Sequence, residues 1–260
     1  MNLCSKAQSI RLSVLNIAYE KKISHLGGTF SCVDLLVALY YGGILNLSGD
    51  KDRLILSKGH ACLALYAILV DLGVMEQSIL DTYGHDGGLG AQLDINTSGV
   101  DWNTGSLGHS VGVCSGMALA AQIDRSNRHA YTIVGDAECY EGSIWEAMEF
   151  SGCRQLSNLT VIVDRNRLSV TESLDDDSFF GNMPQLVTGF GWGYDSIDGH
   201  SPVEIIDAVK ASKSSGRPTL IVANTIKGKG ISFMENQAQW HHGAPSEEEY
   251  QQAKKEIIGG

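Results

Sequence analysis

Two β-branched runs constrain this chain most: Tyr131-Thr132-Ile133-Val134, and Leu159-Thr160-Val161-Ile162-Val163-Asp164. Between them lies a stretch patterned as a helix from about 143 to 153. Strand, helix and strand at this spacing form a βαβ unit, and the crossover makes the two strands parallel. The alternation continues on both sides. A short strand is expected at 53–57, followed by the apolar helix "HACLALYAILVDLG", which Gly73 stops. Ser31 and Asp34 suggest a capping box opening a helix through Tyr41. "GHSVGVCSGMALAAQID" forms a small-residue helix, and the apolar spacing of the first fifteen residues fits an amphipathic one. The last cycle is a strand around 193–197, a helix from Ser201 and a strand at 218–224. Together these predict an α/β fold: a doubly wound, mostly parallel sheet flanked by helices, in a single domain over 1–260. Thirty glycines against four prolines suit many tight turns between regular elements.

A formal net charge of −11 argues against nucleic acid, whose phosphates require a basic footprint. No apolar run is long enough to span a membrane, and the N-terminus shows no export signal. The six cysteines are scattered without a C-x-x-C pair, which fits reduced thiols in the cytoplasm. A reactive role is conceivable for Cys139, but a small buried hydrophobe is the plainer reading. The run Asp175-Asp176-Asp177 reads as a solvated loop.

The chemistry gathers where the strands end. Asp136 follows the first β-branched run and Asn166 follows the second, so parallel strands bring both to the carboxyl edge of the sheet. A carboxylate and an amide oxygen make a hard, incomplete oxygen site, of the kind Mg²⁺ completes with water and substrate phosphate. A helix beginning near Gly142 would turn its positive end the same way. The alternative is that Asp136 only caps that helix and Asn166 only makes a turn.

"GDAECYEGSIWEAMEFSGCRQLSNLTVIVDRN" resembles the thiamine-diphosphate motif that begins GD(G/A) and ends in Asn. "SHLGGTFSCVDLLVALYY", "DRLILSKGHACLALYAIL", "TGSLGHSVGVCSGMALA", "VANTIKGKGISFMEN" and "WHHGAP" resemble, in order, the N-terminal diphosphate-binding half of transketolases. The resemblance implies that Asp136, Asn166 and the carbonyl of Leu168 hold Mg²⁺, or another divalent cation such as Ca²⁺, on thiamine diphosphate. It implies close backbone approach at Gly135 and Ala137, and backbone contact from Gly105, Ser106 and Leu107. His60 and His242 would contact the diphosphate and line the substrate channel, and His25 would sit near the reacting carbon. Glu141 matches an acid that bonds across the subunit interface to the partner's catalytic glutamate. Lys229 would neutralise phosphate. His25, His60, Glu141 and His242 are thus the expected catalytic set. His85, His109, His129, His200 and His241 are expected to be ordinary surface or core residues, and Glu138 a solvated acid at a helix entry.

Two departures from the family pattern bear on function. Gln92, in "GAQLD", stands where transketolases carry a histidine that helps hold the donor. Glutamine keeps a donor and an acceptor but does not titrate near neutrality, so an altered donor or acceptor is expected. The sequence also runs only a short way past "HHGAP", so the pyrimidine-binding domain is expected on a partner chain. The resemblance therefore implies a PP-type domain acting as one subunit of a split transketolase, with a C-terminal partner subunit in a heterotetramer. The expected activity is transfer of a two-carbon ketol unit from a ketose, such as a phosphorylated one, to an aldehyde. The alternatives are a transketolase-like acyl transferase or carboligase using a 2-oxo acid, and a non-catalytic cofactor-binding scaffold.

Overall fold

Strand and helix alternate as expected in the computed structural model, which describes residues 2–23, 25–169, 173–174 and 177–259. The chain opens with α1 (Leu3–Lys21) and α2 (Leu26–Tyr41), then β1 (Arg53–Leu56), α3 (Cys62–Asp71), α4 (Gln77–Leu80) and α5 (Ser110–Ile123). It continues through β2 (Ala130–Gly135), α6 (Gly142–Cys153), β3 (Leu159–Arg165), α7 (Asp177–Gly181) and α8 (Met183–Gly189). β4 (Gly193–Asp198), α9 (Pro202–Ser214), β5 (Thr219–Asn224) and α10 (Glu247–Gly259) complete it. The strands form one sheet in the order β1-β2-β3-β5-β4, with every pairing parallel. All five carboxyl ends therefore point to one edge.

Side chains alternate across the sheet, so each strand feeds two cores. Tyr131, Ile133, Ile162 and Ile221 pack with α1, α2 and α3 on one face. Val134, Val161, Val163 and Val222 pack with α5 and α6 on the other. Helix α2 is buried from Leu26 to Leu39, as a helix with no polar face must be.

Two expectations need correction. α2 starts five residues before Ser31, which is not a cap. Its hydroxyl instead turns inward, donating to the carbonyl of Gly28 at 3.0 Å and to Asp164 at 2.6 Å. Similarly, Asp136 does not lead directly into α6. A 3₁₀ turn, Ala137–Tyr140, intervenes, and Asp136 accepts from the Ala137 amide at its start. Of the Asp triplet, Asp175 and Asp176 lie outside the described residues, and Asp177 begins α7. Among the described residues no helix is long and apolar enough to cross a membrane.

The segment after β5 returns beneath the start of α2. The Gly228 amide donates to the Gly27 carbonyl at 2.9 Å, and His25 and Gly243 form an isolated parallel bridge. This return carries Lys227, His241 and His242 to the edge where the strands end.

Candidate active site

A cavity of about 160 Å³ opens where β1, β2, β3 and β5 terminate. Lys58 and His60 reach it from β1, Asp136 and Glu138 from β2, Asn166 and Leu168 from β3, and Lys227 from beyond β5. Gly28, Leu107 and His241 close its sides. Gly28 has His60 against it: a Cβ there would stand 3.2 Å from Nε2.

The floor is an ion pair. The Lys58 ammonium meets the Asp164 carboxylate and donates to the carbonyl of Gly28 at 2.8 Å. Thr225 and Ser31 also donate to Asp164. Burial opposes the charge on Lys58, but Asp164 beside it holds its pKa above the ordinary value. Lys58 is thus largely committed to Asp164, leaving the second buried acid without a cation of its own.

That acid is Asp136. It is 2% exposed and accepts from the amides of Ala137 at 2.8 Å and Arg167 at 2.5 Å. Burial, and then the negative charge of Asp164, push its pKa up to about 6. Asn166 is also buried, and its Oδ1 accepts from the Leu168 amide at 3.2 Å. The Leu168 carbonyl accepts from Lys227 Nζ at 3.2 Å, which occupies one of its two lone pairs. A carboxylate, an amide oxygen and a carbonyl around one small cavity are oxygen donors of the type that suits a hard divalent ion.

Imidazoles crowd the mouth. The rings of His25 and His242 lie 4.1 Å apart, those of His25 and His60 5.5 Å, and those of His60 and His241 5.4 Å. Burial, and then Lys58, hold His60 down at about 2. Burial with His242 holds His25 at about 4, and burial with Lys227 holds His241 at about 4. These three are neutral at neutral pH, each with one N–H to donate and one nitrogen to accept.

Of the residues singled out from the sequence, His60, Leu107, Gly135, Asp136, Ala137, Asn166 and Leu168 line the cavity, with His25 and His242 beside it at the mouth. Gly105 and Ser106 are exposed and do not line it, and Gly105 lies against Gln92. Gln92 borders a larger cleft of about 1110 Å³ and presses on Gly59, where a Cβ would meet its Oε1 at 2.1 Å. Glu141 is exposed at the start of α6, beside Gly108. The amides of α6 are not in the cavity wall; the 3₁₀ turn is.

Three assignments change. Lys229 pairs with Glu235 at 3.6 Å, away from the cavity, and the lysine inside is Lys227. His241, expected to be ordinary, belongs to the imidazole cluster. Glu138 is 2% exposed rather than solvated, and accepts from Ser57 and from the amides of Gly108 at 2.8 Å and Gly135 at 3.1 Å. It therefore ties the ends of β1 and β2 to the loop carrying Leu107. Lys58, inside "SKGH", and Lys227, inside "IKGKG", both stood in stretches whose other residues drew attention. Cys139 is fully buried, and burial raises its thiol well above the ordinary value, so it is no nucleophile.

The thiamine diphosphate binding domain of transketolase matches residues 5–259. The chain belongs to that family. This transketolase-family chain is similar to one of the subunits of the apulose-4-phosphate transketolase of Phocaeicola vulgatus, at 36% identity over 97% of this chain and 92% of the relative. It is 37% identical to the 6-deoxy-6-sulfo-D-fructose transketolase subunit SqwG of a Clostridium species, over 99% of this chain and 96% of that one. The solved transketolase of Campylobacter jejuni superposes with a TM-score of 0.92 at 28% identity, covering 99% of this chain and 43% of that one. The chain thus spans less than half of that transketolase but nearly all of the two single-subunit relatives. Its class is that of the transketolase subunits, transferases that use thiamine diphosphate with a divalent metal.

Proposed function

We propose that this chain supplies the diphosphate half of a split transketolase's active site and works only with a separate C-terminal subunit, as a heterotetramer in the cytoplasm. One observation carries the reading: the oxygens of Asp136, Asn166 and Leu168 share a single cavity with Lys227 and His60. A divalent ion on the oxygens, with the lysine and imidazole N–H groups around it, gives an acidic chain a place for a diphosphate. The bound cofactor supplies the nucleophilic carbon that carries a two-carbon ketol unit from a ketose to an aldehyde.

The chain's own residues bind and orient. Gly135 and Ala137 let the backbone approach the diphosphate, and Leu107 covers it. His60 donates to phosphate. Half-buried His25 and exposed His242, at the mouth, hold sugar hydroxyls and move protons at the donor carbonyl oxygen. His241 lies between them and Lys227. Glu141, exposed on the surface, meets the partner subunit. This PP-type domain leaves the aminopyrimidine end to that subunit.

The named substrates of the two relatives, apulose-4-phosphate and 6-deoxy-6-sulfo-D-fructose, are both ketoses with an anionic substituent. An anionic ketose is accordingly the donor class proposed here, with Gln92 on the cleft side tuning which one. A 2-oxo acid donor is favoured by no contact beyond Gln92. A non-catalytic scaffold would leave the histidines at the mouth without a role.

The test is to isolate the chain from its own cells with Mg²⁺ and thiamine diphosphate present, and to assay what accompanies it. The reading expects a stoichiometric second chain and a complex that moves two carbons between an anionic ketose and an aldose. A catalytically silent complex, or one active only on 2-oxo acids, would contradict it.

A further inference from the structure

Holding a diphosphate does not call for three imidazoles facing one another. One ligand nitrogen from each of His25, His241 and His242 lies within 4.8 Å of the other two. The ring centroid of His241 stands 5.6 Å from that of His25 and 5.0 Å from that of His242. Among the described residues, His25 Nδ1 is buried and has no hydrogen-bond partner, an unmet need in a side chain that could accept or donate there. The bridge between His25 and Gly243 fixes the backbone on both sides of the cluster.

We infer that His25, His241 and His242 form a binding site for a borderline transition-metal cation such as Zn²⁺, separate from the hard-oxygen site at Asp136. Imidazole nitrogen suits Zn²⁺ where carboxylate and carbonyl oxygen suit Mg²⁺, so the two sites select different ions. Tetrahedral Zn–N bonds of about 2.0–2.1 Å place ligand nitrogens roughly 3.4 Å apart. The cluster reaches that by a small closure, and exposed His242 is free to make it. Three protein ligands leave a fourth position for water. His241 gives up its 3.3 Å contact with Lys227 Nζ, which keeps the carbonyls of Leu168 and Ser169. A metal here takes His25 and His242 from the sugar, so Zn²⁺ inhibits in competition with the ketose donor. That consequence rests on the functional reading above, whereas the site itself does not.

Co²⁺ titrated into the purified full chain, with excess Mg²⁺ occupying the oxygen site, reads the site directly. One equivalent should give the ligand-field bands of a tetrahedral nitrogen site, and Zn²⁺ should remove them. His241→Asn and His242→Asn should each weaken binding by at least about tenfold, since losing even a hydrogen-bond partner of a ligating histidine costs that much. Asp136→Asn should leave the bands intact. Absent bands, undiminished binding in both histidine variants, or loss in Asp136→Asn would overturn the site. Zn²⁺ added to the assembled enzyme then tests the consequence. Competition with the donor supports it, and a Co²⁺ site without competition refutes the inhibition while counting against His25 and His242 as donor contacts.

Discussion

Lys58 and Asp164 form a buried ion pair directly beneath the cavity, joining the end of β1 to the end of β3. Every strong partner is present: the Gly28 carbonyl for the ammonium, and Ser31 and Thr225 for the carboxylate. Breaking such a pair leaves a buried charge uncompensated, at about 3–5 kcal/mol. Lys58→Met should therefore lower unfolding stability by about that amount, and adding Asp164→Asn should recover much of it. Urea unfolding of the two variants checks this, and a loss under about 1 kcal/mol in the single variant would show that the pair does not hold the edge together.

Lys227 and Lys229 separate cleanly. Burial, and then the nearby charge of Lys58, lower the pKa of Lys227 to about 8, so it gains from an anion in the cavity. Lys227→Gln should weaken thiamine diphosphate binding by about 1.5–3 kcal/mol, the worth of a charged hydrogen bond. Lys229→Gln, on a half-exposed pair with Glu235, should stay within about 0.5 kcal/mol of the parent. Fluorescence titration of the cofactor in Mg²⁺ distinguishes the two, and equal effects would return the assignment to Lys229.

Acid should destabilise the fold through its buried histidines. His129 bonds Thr160 at 2.8 Å, and burial, then Lys213, lowers its pKa from 6.5 to about 3. The unfolded chain therefore binds the proton that the native chain refuses, and stability present above pH 6.5 is lost as pH falls toward 3. Each such histidine steepens the loss by about 1.4 kcal/mol per pH unit in that window. His129→Gln should flatten the slope measured by urea unfolding between about pH 6 and 4 by about one proton's worth. An unchanged slope would mean that His129 is protonated in the native state.

The βαβ core was legible because its strands are unbroken β-branched runs, and Asp136 and Asn166 because a parallel sheet delivers whatever follows such strands to one edge. The remainder depends on distant partners. Ser31 has the local signature of a cap, but its hydroxyl is taken by Asp164, 133 residues away. Lys58 and Asp164 are 106 residues apart, and nothing near either residue announces its burial. Glu138 reads as a helix-entry acid until the ends of β1 and β2 close around it. His241 and His242 are adjacent, and only the bridge to His25 shows that both face the mouth.

Asp136 tests the account most directly. Its carboxylate is buried, its pKa is lifted to about 6, and among the described residues no lysine pairs with it directly. Calorimetric titration of thiamine diphosphate into parent and Asp136→Asn protein, with and without Mg²⁺, would measure what it holds. The account predicts Mg²⁺-dependent binding in the parent, and its loss in the variant with the fold intact. Equal, Mg²⁺-dependent binding in both would mean that the metal is held elsewhere, and that the carboxyl edge is not the diphosphate site.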